Sequence, residues 1–172
     1  TSTKHNWAFQ GEPEPELNNR TLKHDRGKTL GGSSSINGLC FIRGHALDFD
    51  GWQQAGCTGW GFADVLPYFK KMETYEGGTD KYRGRDGPLQ VHRSTPEDPL
   101  SIAFLRAGKE AGYPVTNDIS GYRQEGFGGF DRTVFKGERW STARAYLDPI
   151  RHRQNLKIQT NTQVQRLIFE GT

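Results

Sequence analysis

Apolar residues recur at helical spacing in two parts of the chain. Residues 62–74 share one apolar face, built from side chains four and three positions apart: Val65, Phe69 and Met72. A second helix is predicted to begin at Asp98-Pro99, an N-cap followed by a proline at the first helical position, and to stop at Gly112. Ser141 is expected to cap a third, short helix. We interpret these helices as scaffold.

Short apolar runs and alternating β-branched residues predict strands elsewhere. Residues 39–42 are a run of strand formers, and residues 126–135 are predicted as a strand whose glycines permit a bulge or the close approach of another backbone. Residues 155–159 and 163–169 alternate in polarity and are predicted as two further strands. Residues 1–25 are expected to be largely irregular.

Composition indicates a loop-rich chain. Its 172 residues match the size of one ordinary domain, but only 33% are hydrophobic, 22 are glycine and the mean hydropathy is −0.81, so the chain is expected to bury itself poorly alone. It lacks an initiator Met, begins on polar residues and stops just after a strand-like run. We therefore expect an internal piece of a longer protein.

Charge and cysteine spacing exclude several classes of function. The net charge of +3 is spread along the chain, so no nucleic-acid partner is predicted. No apolar run approaches the roughly 18 residues that span a bilayer, so any membrane contact would be peripheral. Cys40 and Cys57 fit no metal spacing and are expected to be free thiols in a reducing compartment. No metal site is predicted.

A glycine- and serine-rich stretch, residues 26–38, carries the main candidate chemistry. Gly31 and Gly32 allow positive φ and close approach to a ligand, and Ser33 or Ser34 could open a short helix whose N–H groups would hold an anion. The spacing resembles a P-loop, but Ser33 stands where that motif needs Lys, so nucleoside triphosphate hydrolysis is excluded. The alternative is a flexible loop that binds nothing.

The wider pattern around this stretch resembles a known enzyme family. The segment RGKTLGGSSSINGLCFIRG (residues 26–44), followed by an acidic pair and Trp52, is similar to the first signature of the GMC (glucose-methanol-choline) oxidoreductases. A second long block of the family, GW at residues 59–60 and VLPYFKKME at 65–73, is also present. Residues 6–20, 124–128 and 139–143 look most like the choline dehydrogenase branch of the family.

The resemblance implies an architecture. It implies an α/β chain, α+β in part, that is a fragment of the FAD-binding GMC fold. Residues 1–75 would be part of the FAD-binding domain, residues 76–153 part of a substrate-binding domain with an antiparallel sheet, and residues 154–172 strands that return to the FAD-binding domain.

The resemblance also implies cofactor-binding positions, which are Gly31, Gly32, Ser33, Asn37, Gly38, Cys40 and Val164. An alternative for Asn37 is a turn residue in left-handed conformation, and an alternative for Val164 is an ordinary buried strand residue. Some relatives bond the flavin covalently through a His just before this Asn. That position is Ile36 here, so FAD is expected to be bound without a covalent link.

No catalytic residue is predicted within this chain. In the family the base is a His near the C-terminus, and the five histidines here are expected to lie at the surface. They are His5, His24, His45, His92 and His152. The Gly-x-Gly-x-x-Gly motif that opens the family's first βαβ unit is also absent from the sequence.

The resemblance implies FAD-dependent oxidation of a primary alcohol. The substrate would be choline, converted to betaine aldehyde, with electrons passed to a respiratory acceptor, in the cytoplasm or peripherally on a bacterial or mitochondrial inner membrane. Two alternatives stay open: a dehydrogenase for an uncharged primary alcohol, and a non-catalytic module that binds a nucleotide or packs against a partner.

Overall fold

The computed structural model describes residues 3–170, in which short strands and three longer helices are joined by extended loops. The strands are β1 (Phe9–Gln10), β2 (Lys23–His24), β3 (Cys40–Phe41), β4 (Glu73–Tyr75), β5 (Leu89–Arg93), β6 (Asp131–Arg132), β7 (Val134–Phe135) and β8 (Glu138–Arg139). The helices are α1 (Ala46–Gln54), α2 (Phe62–Met72) and α3 (Pro99–Glu110). Shorter helical turns are Pro15–Leu17, Gly32–Ser35, Ala143–Leu147 and Asp148–Ile150.

A four-stranded mixed sheet joins distant parts of the chain in the order β3-β6-β5-β4. Strand β6 runs antiparallel to both β3 and β5, whereas β4 and β5 are parallel. Two further antiparallel pairs, β1-β2 and β7-β8, are separate from this sheet, and β7 packs against β5. The mixture of helices and sheets confirms the expected fold class.

The apolar core lies where this sheet meets the turn Ala143–Leu147. Its buried members come from β3, β4, β5 and that turn: Phe41, Tyr75, Leu89, Val91 and Ala145. Met72 and Trp140 pack against them, and the indole N–H of Trp140 donates to the carbonyl of Pro88 at 2.8 Å. The core is small, as the low hydrophobic content predicts.

The predicted helices are present, but the end of one helix and the cap of another differ from the prediction. Helix α3 begins after Asp98, whose Oδ1 accepts from the amide of Ser101 at 2.9 Å, and a positive φ at Gly112 follows its end. Helix α2 ends at Met72 instead of residue 74, because Glu73–Tyr75 pair with β5 as a strand. Thr142, and not Ser141 as predicted, occupies the N-cap position of the turn Ala143–Leu147, although Ser141 Oγ accepts from the amide of Arg144.

The strand predictions are only partly confirmed. Residues 39–42 contain β3, but residues 126–130 are not in a strand and 131–135 form two short ones. The structure corrects the prediction for residues 155–159 and 163–169, which contain no strand up to residue 170. A strand is completed by hydrogen bonds to a neighbour, and no segment among residues 3–170 pairs with these residues. The predicted domain boundaries stay a prediction.

The N-terminal region is more ordered than its composition predicts. Strands β1 and β2 pair across residues 11–22, and buried Asn6 joins the two ends of this hairpin. The Asn6 side chain donates to Asp25 at 2.7 Å and accepts from the amide of Arg26 at 2.9 Å. The same hydrogen bond from Asn6 lowers the pKa of the Asp25 carboxyl.

Candidate functional site

The Gly/Ser loop, residues 26–38, turns sharply at two glycines. Gly31 (φ 83°) and Gly32 (φ 53°) both adopt the left-handed region, and Gly32–Ser35 form one turn of 3-10 helix. An L side chain at Gly31 would be strained and would also place its Cβ 2.5 Å from the Oγ of Ser35. The sequence-based expectation of positive φ at these glycines is confirmed.

The expected row of free amides is mostly absent. The amides of Gly32, Ser34, Ile36 and Asn37 donate to carbonyls of the same loop, at 2.9 to 3.2 Å. These N–H groups are therefore already used within the loop. The structure corrects the view of residues 31–37 as an open anion cradle, because the tight 3-10 turn pairs the groups that the cradle would need.

The serine hydroxyls shape the loop from inside. Gly31, and neither Ser33 nor Ser34, occupies the N-cap position, which corrects the predicted serine cap. Ser34 Oγ donates to the carbonyl of Gly31 at 2.5 Å, and Ser35 Oγ donates to the carbonyl of Leu30 at 2.8 Å. Ser33 Oγ accepts from the amide of Gly27 at 3.1 Å. These bonds hold the loop in one conformation.

Asn37 presents an unpaired hydrogen-bond donor. Its Oδ1 accepts from the amide of Leu39 at 3.1 Å and from Nη1 of Arg139 at 2.8 Å. Within residues 3–170 its Nδ2 has no partner, and the side chain is exposed. Leu39 takes positive φ (70°) and Asn37 does not, so the alternative of a left-handed turn at Asn37 is wrong.

The candidate cofactor positions differ in what the structure offers. A Cβ added at Gly32 or Gly38 would meet no atom of the described chain within 4 Å, so the backbone there borders open space. Ser33 and Cys40 are exposed beside it. These positions lie together in the Gly/Ser loop and in β3, which follows it.

Val164 is not shown to join this group. It is 75% exposed and lies in a segment without helix or strand. The alternative of a buried strand residue is therefore wrong for Val164 within the described chain. Its role at a cofactor stays a prediction, because a main-chain contact would need that segment to lie beside the loop.

A distant segment, residues 139–143, braces the Gly/Ser loop. Nη1 of Arg139 donates to the carbonyl of Asn37 at 2.8 Å and to that of Ser34 at 3.2 Å, as well as to Asn37 Oδ1. The amide of Thr142 donates to Ser34 Oγ at 2.9 Å, and Thr142 Oγ1 lies 3.0 Å from the same Ser34 oxygen. From sequence, this segment has a resemblance to the family and a predicted helix cap at Ser141, but no predicted contact with the Gly/Ser loop.

A buried charged cluster supports β3 and was missed by sequence reasoning. Arg83 is completely buried, and its Nε lies 2.8 Å from Oε1 of Glu73, which is also completely buried. Nη1 of Arg83 contacts Asp118 at 2.6 Å and Asp131 at 2.9 Å. Arg43 contacts the same Glu73 oxygen at 2.6 Å. The cluster joins the loop that contains Arg83 to strands β4 and β6, through Glu73 and Asp131, and also to Arg43 just after β3 and to the segment around Asp118.

Burial and partners shift several pKa values in this cluster. Burial raises the pKa of the Tyr75 hydroxyl to about 12, and nearby Asp131 adds to the shift. Burial by itself would lower the pKa of Arg83, but hydrogen bonds to Glu73 and Asp131 raise it above its ordinary value. Burial lowers the pKa of Arg43. Within residues 3–170, Arg43 Nε is the one buried side-chain atom of this cluster that has no hydrogen-bond partner.

The acidic pair of the first signature block has structural roles. Asp48 Oδ2 accepts from the amide of His45 at 2.8 Å, which caps α1. Asp50 Oδ1 accepts from the amide of Phe62 at 2.9 Å, at the start of α2. All five histidines are exposed, as expected, and both cysteines are free and exposed.

No three His, Cys, Asp or Glu side chains among residues 3–170 are grouped to hold a metal ion. Over the same residues, no helix has both the length and the apolar character needed to cross a membrane.

Comparison with known proteins identifies the family. Residues 6–172 match the family model described as GMC oxidoreductase. This chain belongs to the GMC oxidoreductases. It is 54% identical to an oxygen-dependent choline dehydrogenase of Sinorhizobium fredii, over 90% of this chain and 28% of the relative. It is 50% identical to the mitochondrial choline dehydrogenase of Mus musculus, over 98% of this chain and 28% of the relative.

Solved structures share this fold. Pyridoxine 4-oxidase from Mesorbium loti matches 97% of this chain with a TM-score of 0.85 and 33% identity. An FAD-dependent oxidoreductase from Chaetomium thermophilum matches 88% of it with a TM-score of 0.75 and 25% identity. The family prediction is confirmed. The chain spans under a third of the length of the curated relatives.

Proposed function

We propose that this GMC chain is part of a longer FAD-dependent enzyme that oxidises choline to betaine aldehyde. The observation that carries the cofactor assignment is Asn37, whose free Nδ2 lies next to the open backbone at Gly38. An unpaired donor on an open face suits an acceptor atom of a flavin ring. The similarity to two choline dehydrogenases supports choline as the substrate.

The chain supplies binding and shape, whereas the cofactor supplies the redox chemistry. FAD held here would supply the redox chemistry by taking up a hydride from the alcohol carbon, and a base outside this chain would be needed for the hydroxyl proton. Gly32 and Gly38 keep room for the cofactor backbone and ring. Ser33, Asn37 and Cys40, which are exposed, would line that space. Val164 would contact the adenine end of FAD through its main chain.

Ile36 supports a dissociable cofactor. An isoleucine side chain has no nucleophilic atom, so it cannot form a covalent bond to the flavin. The test is to express the longer protein, record its visible spectrum and precipitate it with acid. Flavin in the supernatant is expected. Flavin in the pellet would contradict the argument from Ile36, and freshly purified protein that stays colourless with added FAD would favour a non-catalytic module.

Substrate class is tested with a pair of alcohols of similar shape. Choline and uncharged 3,3-dimethylbutan-1-ol differ at one atom, the quaternary nitrogen. We expect choline to have the higher kcat/KM by roughly tenfold or more, as recognition of a quaternary ammonium by aromatic faces would give. Equal values would favour a dehydrogenase for uncharged alcohols.

The electron acceptor is proposed to belong to a respiratory chain, with the enzyme in the cytoplasm or peripheral on an inner membrane. Oxygen uptake and reduction of a soluble quinone, measured with choline in the same preparation, separate the two acceptors. Faster quinone reduction is expected. Turnover that depends on oxygen alone, with matching peroxide release, would overturn the respiratory acceptor.

A further inference from the structure

The geometry points to Arg139 as a positioning residue that fixes which end of the Asn37 amide faces the cofactor. This inference rests on the proposed FAD site and adds a residue to it. Arg139 lies in β8, 102 residues from Asn37 along the chain. It is half-buried, and its guanidinium reaches over the end of the Gly/Ser loop.

The direction of the Asn37 amide follows from the chemistry of its neighbours. A guanidinium has donors and no acceptor, so the atom of Asn37 that faces Arg139 must be the oxygen. The amide of Leu39 is a second donor on the same oxygen, at 3.1 Å. Two donors therefore hold Oδ1 inward, and Nδ2 must point to the open side.

The contact also fixes the backbone that carries Asn37. One nitrogen of Arg139, with two hydrogens, contacts three acceptors: the carbonyls of Ser34 and Asn37 and the side-chain oxygen of Asn37. At least one of its hydrogens is shared between acceptors. The loop and the Asn37 side chain are thus held by the same charged group, and charge-assisted hydrogen bonds are the strong ones.

Without Arg139, the Asn37 amide would lose its preferred direction. The oxygen would keep one neutral donor, the Leu39 amide, and the side chain could rotate to present its acceptor to the flavin. An acceptor opposite an acceptor atom repels it. Binding of FAD would then weaken even if the protein stays folded.

The experiment uses the longer protein, stripped of flavin and titrated with FAD. Arg139→Met is expected to raise the FAD Kd by roughly three- to tenfold, the loss expected for one neutral hydrogen bond from Asn37 to the cofactor. Arg139→Lys keeps the positive charge but lacks the planar guanidinium, and it should give a smaller loss of FAD affinity. Arg106→Met is the matched control, because the Arg106 side chain is 73% exposed on α3 and, among residues 3–170, pairs only with exposed Glu110.

A second variant separates positioning from simple support of the loop. Asn37→Asp keeps both oxygen contacts, with Arg139 and with the Leu39 amide, and lacks the N–H donor. We expect its melting temperature without FAD to match the wild type and its FAD Kd to rise. The double variant, Arg139→Met with Asn37→Asp, should bind FAD no more weakly than the weaker single variant, because both remove one contact.

The outcomes are distinguishable. A wild-type protein that binds no FAD would overturn the proposed function itself. Wild-type binding with an unchanged Kd in Arg139→Met, or losses that add in the double variant, would overturn the positioning role alone. If Arg139→Met does not fold, then Arg139→Lys and Asn37→Asp decide the question by the same Kd comparison.

Discussion

Arg83 and Asp131 lie 48 residues apart in the chain, yet their side chains meet at 2.9 Å without contact with solvent. Glu73 and Asp118 complete the carboxylates around this one guanidinium. The rings of Tyr75 and Phe41 also face it, with centroids 3.5 and 6.0 Å from its central carbon. Arg83 therefore connects three strands of the mixed sheet, which are β3, β4 and β6.

Replacing Arg83 with Met should destabilise the protein severely. The change leaves Glu73 and Asp131 as buried carboxylates without their main partner, and breaking a buried ion pair costs about 3–5 kcal/mol. The measurement is the urea midpoint of the longer protein, with Arg106→Met as control. A midpoint for Arg83→Met equal to that of the control would show that the buried cluster does not stabilise the fold.

Tyr75 should make stability sensitive to base. Its pKa is raised to about 12, from an ordinary value of 10, so the folded state favours the neutral hydroxyl. The stability that the neutral Tyr75 hydroxyl contributes to the folded state is present in full below pH 10 and is lost as the pH rises towards 12. Between these values the free energy of unfolding should fall less steeply in Tyr75→Phe than in the wild type. Parallel slopes would contradict the assignment.

Two glycine substitutions in the Gly/Ser loop should affect different properties, one the stability of the protein and the other its affinity for FAD. Gly31→Ala forces an L residue into positive φ beside Ser35, which should lower stability by about 1–2 kcal/mol. Gly38 borders open space and does not have a positive φ, so Gly38→Ala should have the same melting temperature without FAD as the wild type. Its added methyl would enter the space proposed for the flavin, and the FAD Kd should rise.

The measurements for this pair are a thermal melt of the apoprotein and an FAD titration. Equal FAD affinity in Gly38→Ala and the wild type would place the cofactor elsewhere. A Gly31→Ala protein as stable as the wild type would contradict the role of positive φ in shaping the loop.

Local signals were predictable from sequence, and contacts between distant residues were not. The cap at Asp98 and the stop at Gly112 act over a few residues, so the sequence predicts α3 well. Arg83 lies in a stretch that reads as a polar loop, and nothing local marks it as the centre of the buried cluster. Its burial depends on Glu73, Asp118 and Asp131, which the fold brings together.

The candidate site shows the same division. The family pattern pointed to Gly31, Gly32 and Asn37, and the glycines take the expected conformation. The pairing of the loop amides and the contact with Arg139 depend on exact backbone geometry and on a segment about a hundred residues away. Residues 155–169 alternate like strands, but alternation does not supply the neighbouring strand that they need.

The brace between Thr142 and Ser34 sets an order for events during protein synthesis. The two residues are separated by 108 positions, so a ribosome makes the loop long before it makes the segment that holds the loop. Until Thr142 has emerged, Ser34 cannot form its hydrogen bonds with the hydroxyl and the amide of Thr142. If FAD binds at this loop as proposed, its loading would therefore follow the release of this part of the polypeptide from the exit tunnel.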